Sequence, residues 1–282
     1  MATKSKMFLV ERDGAVVTWK YYNPPQNLLN PSMGAEFGGL LNDFYNDPEL
    51  RVGVFASAIP GVFIQHYDVA QLVKDGTALT KKKPEKKSDA PPYRRINFRQ
   101  DSKPIIAAIN APVAGGGLEL CMSFDFRFMA RTCSMSQGEV GVGILPGGGG
   151  TQRMPRLIGM GRALELMLTG RAVYADEAER IGLITRACDP MQLLPDVMAF
   201  AQRLATMPPL AVHHIRKCVY EGMEMNIDDG LAMESELMAE LMASDEALER
   251  MSAYAATGQK SQGQIIEEQK QELERQMAEK QD

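Results

Sequence analysis

Long apolar runs, paired cysteines and an excess of basic residues are all missing from this sequence. No stretch approaches the ~20 consecutive apolar residues that a membrane-spanning helix needs, so we expect no membrane insertion. A net charge of −5 argues against a nucleic-acid partner, because phosphate contacts need clustered lysine and arginine. The four cysteines are scattered and none has metal-ligand spacing: Cys121, Cys133, Cys188 and Cys218. We therefore expect no metal site, and reduced thiols in a cytoplasmic protein.

What the chain does contain is enough apolar sequence for a large core. Hydrophobic residues make up 45% of its 282 residues, so folding needs no disulfide or metal. The N-terminus reaches charged residues at once and lacks the apolar region of a signal peptide. This composition is that of an ordinary globular protein.

Strand and helix signals alternate early, and helices dominate later. Residues 7–10 and 15–19 predict a hairpin around Asp13-Gly14, and Asn30 before Pro31 predicts a helix through residue 45. Further strands are predicted at 51–57, 104–109 and 124–129, and helices at 68–73, 118–123, 151–158, 163–168, 175–181, 195–205, 211–221 and 230–241. The pattern favours an α/β core followed by a helical C-terminal region.

Two segments have few apolar residues and predict no packed structure. Residues 74–92 hold six lysines and three prolines, which favours a surface loop. Residues 263–282 are polar and helix-prone with a sparse apolar stripe, which favours a solvated helix over a coiled coil.

One glycine-rich segment ends a predicted strand and begins a helix. Gly115-Gly116-Gly117 lets backbone approach a ligand closely, and Glu119 follows in the first helical turn. Free N–H groups at such a helix start can bind an oxyanion. A tight turn with a glutamate near the helix start would give the same local sequence. A phosphate-binding P-loop does not fit, since no Gly-Lys-Ser/Thr follows.

A second glycine-rich segment surrounds Glu139. Small and apolar residues around this carboxyl predict poor solvation, which raises a carboxyl pKa toward neutrality. A glycine-rich connector with Glu139 as a surface charge would also fit this segment taken alone.

Together the two segments resemble the crotonase superfamily, which includes enoyl-CoA hydratases and isomerases. That family has a Gly-Gly-Gly-x-Glu segment and, twenty residues after its glutamate, a second glutamate that leads a glycine-rich run. Glu119 and Glu139 keep this spacing. The following run is in register at Gly143, Pro146, Gly147, Gly149, Gly150, Thr151, Gln152 and Arg153. The likeness covers about residues 7–254, including the Asn23-Pro24-Pro25-x-Asn27 segment.

The resemblance implies a crotonase-like spiral of ββα units in residues 1–200. Residues 201–282 would form a helical oligomerisation region, giving a homotrimer or a dimer of trimers. The implied ligand is an acyl-CoA thioester, with coenzyme A as part of the substrate and no other cofactor.

The resemblance also implies roles for single residues. Glu119 and Glu139 would be the acid/base pair, and the N–H groups of Gly116 and Gln65 would form the oxyanion hole. The implied substrate-binding residues are Gln26, Asn27, Leu28, His66, Tyr67, Asp68, Gly115 and Gly147.

Two carboxyls favour the hydratase chemistry of the family, in which both grip one water. An isomerase, which usually needs one carboxylate, stays open, as do a thioester hydrolase, a decarboxylase and a dehalogenase. A crotonase-fold protein that binds acyl-CoA without catalysis is the alternative from another class.

The sequence departs from the family where the second oxyanion segment usually reads Ala-Gly-Ala-Asp. His66 replaces the glycine and Tyr67 a small residue, which predicts an altered acyl pocket. Either ring could bond a polar acyl group, or both could point away. Gly138 stands where hydratases generally carry proline, which would loosen the approach to Glu139.

Overall fold

The computed structural model describes residues 3–81 and 103–258, together with positions 263, 264, 267 and 271. The chain divides into two compact units, Met1–Met207 and Pro208–Asp282. The first unit contains the described strands and all the candidate site residues. The oligomerisation role of residues 201–282 stays a prediction.

The first unit alternates strands and helices. Its strands are β1 Thr3–Lys4, β2 Phe8–Asp13, β3 Val16–Tyr21, β4 Val52–Ser57, β5 Ile105–Ile109, β6 Val113–Ala114, β7 Phe126–Ala130, β8 Ser134–Ser136, β9 Val173–Tyr174 and β10 Arg186–Cys188. Its helices are α1 Pro31–Asn46, α2 Val69–Lys81, α3 Gly116–Cys121, α4 Gly150–Ile158, α5 Met160–Thr169, α6 Ala175–Arg180 and α7 Leu193–Ala205, with a 3₁₀ turn at Glu139–Val142.

The strands form one large and one small sheet. The large sheet has the order β1-β2-β3-β4-β5-β7-β10, antiparallel among its first three strands and parallel from β3 onward. The small sheet pairs β6 with β8 in parallel and β8 with β9 antiparallel. Twice in succession the chain adds one strand to each sheet and then forms helices, through β5, β6 and α3 and then through β7, β8 and α4. This repetition is the predicted ββα spiral.

An aromatic cluster fixes α1 against the large sheet. Asn30 caps the helix by accepting from the Met33 N–H at 2.9 Å, as predicted. Phe37 then stacks on Phe8 and meets Trp19 edge-on, with ring centroids 5.5 and 5.4 Å apart. The sheet makes room for Trp19 through Gly53, where an added Cβ would lie 2.5 Å from the indole.

The second unit is helical throughout its described part. It contains α8 Pro209–Gly222, α9 Ile227–Met242 and α10 Asp245–Ala256, with Asn226 and Ser244 as the N-caps of the last two. Large apolar side chains on these helices are exposed in the single chain: Ile215, Val219, Ile227, Leu231, Met238 and Met242. No helix among the described residues is long and apolar enough to cross a membrane.

The hairpin, the helix after Asn30 and the strands at 51–57 and 104–109 are confirmed. The surface loop predicted from residue 74 is wrong at its start, because α2 continues through Lys81. None of the side chains of α2 is buried. The remainder of that loop lies outside the described residues, as does most of the tail after residue 258.

Candidate active site

Glu119 lies in α3, and its carboxyl is buried beneath the turn that leads into α4. Only 4% of the residue is exposed. Its Oε1 accepts the Gly150 N–H at 2.7 Å. An added Cβ at Gly148 would lie 2.7 Å from Oε2, so the glycine run closes directly over the carboxyl. The two glycine-rich segments therefore meet at Glu119.

Burial raises the pKa of Glu119, because the charged carboxylate loses its hydration. The N–H groups of Gly150, Gly148 and Gly149 and the charge of Arg153 oppose the rise without cancelling it. A carboxyl in this setting is poised to hold or release a proton nearer neutral pH than a free glutamate.

Glu139 begins the 3₁₀ turn that follows β8, and Gln137 holds its carboxyl. Gln137 is only 1% exposed. With its amide oriented to satisfy its neighbours, its NH₂ donates to both carboxyl oxygens of Glu139 at 2.9 Å. The amide end of Gln137 and Oε1 of Glu119 each lie 3.0 Å from the point where a Gly150 Cβ would stand. Gln137 thus links the surroundings of the two glutamates.

The pKa of Glu139 is also raised, first by burial and then by the nearby charge of Glu119. Because the two like charges repel, ionising one carboxyl makes ionising the other harder. The two carboxyls therefore titrate as a coupled pair. General acid/base chemistry on one bound water needs one of them protonated while the other is ionised.

The Gly115–Gly117 loop packs against the segment that contains His66 and Tyr67. An added Cβ at Gly115, where φ is +50°, would lie 2.9 Å from Oε1 of Glu139 and 3.8 Å from Cβ of His66. At Gly116 it would lie 3.1 Å from Cβ of Tyr67. At Gly117 it would collide with Ile64, 2.7 Å away. Any side chain here would push the two segments apart.

The N–H of Gln65, predicted to face the ligand, donates to the carbonyl of Gln26 at 3.3 Å. Both residues are exposed. This long bond ties the two segments together and would have to be exchanged for a thioester oxygen. Gly116, by contrast, is the first residue of α3, so no intrahelical acceptor exists for its N–H.

Other predicted substrate-binding residues have visible structural contacts. Asn27 is fully buried, and its amide donates to Ser57 Oγ at 2.9 Å. The Leu28 carbonyl accepts a hydrogen bond from the Tyr21 hydroxyl at 2.7 Å. Asp68 accepts from the Ala70 N–H at the start of α2. The buried Asn27 side chain can therefore affect a ligand only by shaping the Gln26–Leu28 backbone.

Gly147 lies exposed in the turn before α4. No separate role was predicted for its neighbour Gly148 or for Gln137. The feature of the sequence that could have identified Gln137 is its position two residues before Glu139, directly after β8. Among the described residues no group of three or more His, Cys, Asp and Glu side chains could hold a metal ion.

Comparison with known proteins agrees with this geometry. The model of the enoyl-CoA hydratase/isomerase family matches residues 11–264. A short-chain-enoyl-CoA hydratase of Clostridium acetobutylicum is 32% identical over 247 residues, 87% of this chain and 93% of the relative. A crotonyl-CoA hydratase of Syntrophomonas wolfei is 34% identical over 243 residues, 83% and 89% of the two chains.

Among solved structures, an enoyl-CoA hydratase from Bacillus anthracis superimposes with a TM-score of 0.76 at 27% identity, covering 89% of this chain and 97% of the other. The predicted crotonase-like fold is confirmed. The chain belongs to the enoyl-CoA hydratase/isomerase family of the crotonase superfamily.

Proposed function

We propose that this protein adds water across the α,β double bond of an enoyl-CoA thioester. One observation carries the proposal: Glu119 and Glu139, both with raised pKa values, converge beside the Gly115–Gly117 loop. The names of the relatives from Clostridium acetobutylicum and Syntrophomonas wolfei point to the same reaction.

In the proposed reaction, the two carboxyls share one water. The ionised carboxyl removes a proton from the water as its oxygen bonds to the β-carbon. The π electrons move onto the thioester oxygen, forming an enolate, and the protonated carboxyl gives its proton to the α-carbon. The two glutamates end with their protonation states exchanged, and the net change is the addition of one water. The exchange needs one of the two carboxyls protonated and the other ionised when the substrate binds.

The Gly116 N–H is the proposed donor to the enolate oxygen. Such donors act on charge that develops in the transition state, and each contributes roughly 3–4 kcal/mol. Gln65 remains the proposed second donor, on the condition that its bond to Gln26 opens when the thioester binds. Gln26, Leu28, Asp68 and Gly147 are further proposed acyl-CoA contacts, and Asn27 is proposed to act through the backbone that it shapes.

No cofactor beyond the coenzyme A of the substrate enters this proposal. A cytoplasmic location is proposed because the four cysteines are unpaired thiols, as expected in a reducing compartment. We also propose a homotrimer or a dimer of trimers, supported by the exposed apolar side chains of α8 and α9. Light scattering on the purified protein tests the assembly, and a monomer contradicts it.

Isomerisation is the second candidate, because the family includes isomerases. The retained pair of carboxyls favours hydration. The test uses two substrates in separate assays. Hydration of crotonyl-CoA removes the absorbance of the conjugated thioester, whereas isomerisation of a 3-enoyl-CoA creates that absorbance. We expect turnover of crotonyl-CoA. Turnover of the 3-enoyl-CoA alone would favour the isomerase.

Gly148→Ala is expected to lower kcat about 100-fold, since ångström-scale misplacement of a catalytic group costs this much. The new Cβ would lie 2.7 Å from Oε2 of Glu119 and force the carboxyl to move. Steady-state kinetics with crotonyl-CoA measure the effect. Gly161→Ala in α5, which meets nothing within 4 Å, is the matched control and keeps wild-type kcat. Equal kcat in both variants would contradict this geometry of Glu119.

Gln137→Leu is expected to move the acidic limb of the kcat/KM pH profile to higher pH. The Gln137 amide stabilises ionised Glu139, so its loss raises the pKa of that carboxyl further. At neutral pH we expect about tenfold lower kcat/KM, the effect of losing hydrogen bonds to a charged group. Gln192→Leu, at the exposed glutamine directly before α7, is the control. An unshifted profile in Gln137→Leu would show that Gln137 does not tune Glu139.

A further inference from the structure

One ring nitrogen of His66 has a hydrogen-bond partner in the protein, and the other has none among the described residues. Its Nδ1 lies 2.7 Å from the carbonyl oxygen of Tyr67. A carbonyl oxygen can only accept, so the hydrogen of this bond must be on Nδ1. In the neutral ring Nε2 is then a hydrogen-bond acceptor. Among the described residues Nε2 has no hydrogen-bond partner, and the side chain is only half-buried.

Backbone hydrogen bonds to Leu29 hold the His66–Asp68 segment, so the position of the His66 Cα is fixed. The His66 carbonyl accepts the Leu29 N–H at 3.0 Å, and the Asp68 N–H donates to the Leu29 carbonyl at 2.8 Å. Together they form a parallel bridge between Leu29 and Tyr67. The His66 side chain is therefore attached to a well-anchored stretch of backbone.

That stretch of backbone adjoins the reacting groups. Cβ of His66 and Oε1 of Glu139 lie within 3.8 and 2.9 Å of the same position, the missing Cβ of Gly115. The adjacent Gly116 carries the proposed oxyanion donor. A thioester carbonyl at Gly116, with its β-carbon near the glutamates, places the rest of the acyl group within reach of this segment.

We infer that His66 Nε2 forms a subsite for acyl groups that carry a hydrogen-bond donor, specifically a hydroxyl beyond the β-carbon. The inference rests on the proposed hydratase function. It makes His66 a specificity-determining residue. A substrate hydroxyl replaces the hydrogen bond of the water that it displaces from Nε2, whereas a methyl group displaces that water without replacing the bond. The glutamates do not discriminate these substrates, because both undergo the same addition of water.

The test compares kcat/KM for 4-hydroxycrotonyl-CoA and crotonyl-CoA under identical conditions. The ratio of the two values is taken within each enzyme preparation, so a loss of folded protein cancels. Wild type is expected to prefer the hydroxylated substrate. In His66→Phe the ratio falls roughly fivefold to tenfold, the effect of one hydrogen bond. In His66→Gln, whose side-chain oxygen can accept, much of the ratio is kept.

Tyr67→Phe distinguishes the phenol from the imidazole. A ratio that falls in Tyr67→Phe and not in His66→Phe overturns the inference. So does a wild type that hydrates both substrates without preference, which leaves the hydratase function intact. Glutaconyl-CoA carries a terminal carboxylate. If wild type prefers this substrate and His66→Phe abolishes the preference, the ring binds as a cation, and the inference is overturned. A wild type that hydrates neither enoyl-CoA removes the proposed function, and this inference with it.

Discussion

Replacing Glu119 by glutamine is expected to lower kcat for crotonyl-CoA by about 10²- to 10⁴-fold, the usual contribution of one acid/base group. Glutamine keeps the shape of the side chain, and its carbonyl can still accept the Gly150 N–H at the position of Oε1. The change therefore removes the proton-transfer ability and little else. Steady-state kinetics of the purified variant measure the loss.

The same variant is expected to unfold at a higher temperature than wild type at neutral and alkaline pH. Burial raises the pKa of Glu119 in the folded state, so the ionised carboxylate is less favourable there than in the unfolded chain. This cost is absent below the unfolded pKa and grows as pH rises through the folded pKa. Thermal melts across pH should show the advantage of Glu119→Gln shrinking toward acid. A variant that is both inactive and less stable at every pH would indicate a structural role for Glu119.

Glu139→Gln is the second large effect, with an expected loss in hydration of about 10²- to 10³-fold. Glu139 receives two hydrogen bonds from Gln137, and a glutamine cannot accept both in the same way. If the protein were an isomerase with one working carboxylate, only one of the two glutamine variants would lose activity. Similar losses in both variants support shared handling of one water.

The double variant sharpens this comparison. Residues that act as a unit are strongly non-additive, so the double variant should be about as slow as the slower single variant. Losses that multiply would mean that the two glutamates contribute independently rather than as a unit. Crotonyl-CoA turnover by all four proteins, measured side by side, gives the answer.

The sequence predicted several of the longer elements correctly, and the reasons are local; the roles of the two glutamates stay predictions. Asn30 before Pro31 predicts a helix start, and the apolar run of β5 predicts a buried strand. The spacing of Glu119 and Glu139 is visible only through the resemblance to a family. Neither periodicity nor composition would have placed the two carboxyls together.

Other features depend on contacts between distant parts of the chain. β8 and β9 have three and two residues, too short to show a period, and they pair across helices α4 and α5. The helix Asp245–Ala256 was not predicted, although Ser244 caps it. Its apolar side chains are exposed in the single chain, so its sequence lacks the clear apolar stripe of a helix packed in a core.

The burial of Arg127, near the site, is another feature that the sequence alone does not predict. The sequence places it in a strand that alternates polar and aromatic residues, yet it is 5% exposed. Its guanidinium donates to the carbonyls of Leu183 and Phe124 at 2.8 Å and to that of Cys121 at 3.4 Å. It therefore supports the C-terminal end of α3, the helix that carries Glu119. Only tertiary structure shows where its donors go.

The most direct test of the two-carboxylate hydration is isotopic. Crotonyl-CoA is incubated with wild type in deuterium oxide enriched in oxygen-18, and the thioester product is analysed by mass spectrometry and NMR. The account predicts an intact thioester with oxygen-18 on the β-carbon and one deuterium on the α-carbon. Deuterium without oxygen-18 would indicate proton shuttling alone, and oxygen-18 in a free carboxylate would indicate thioester hydrolysis. Either result would contradict hydration by Glu119 and Glu139.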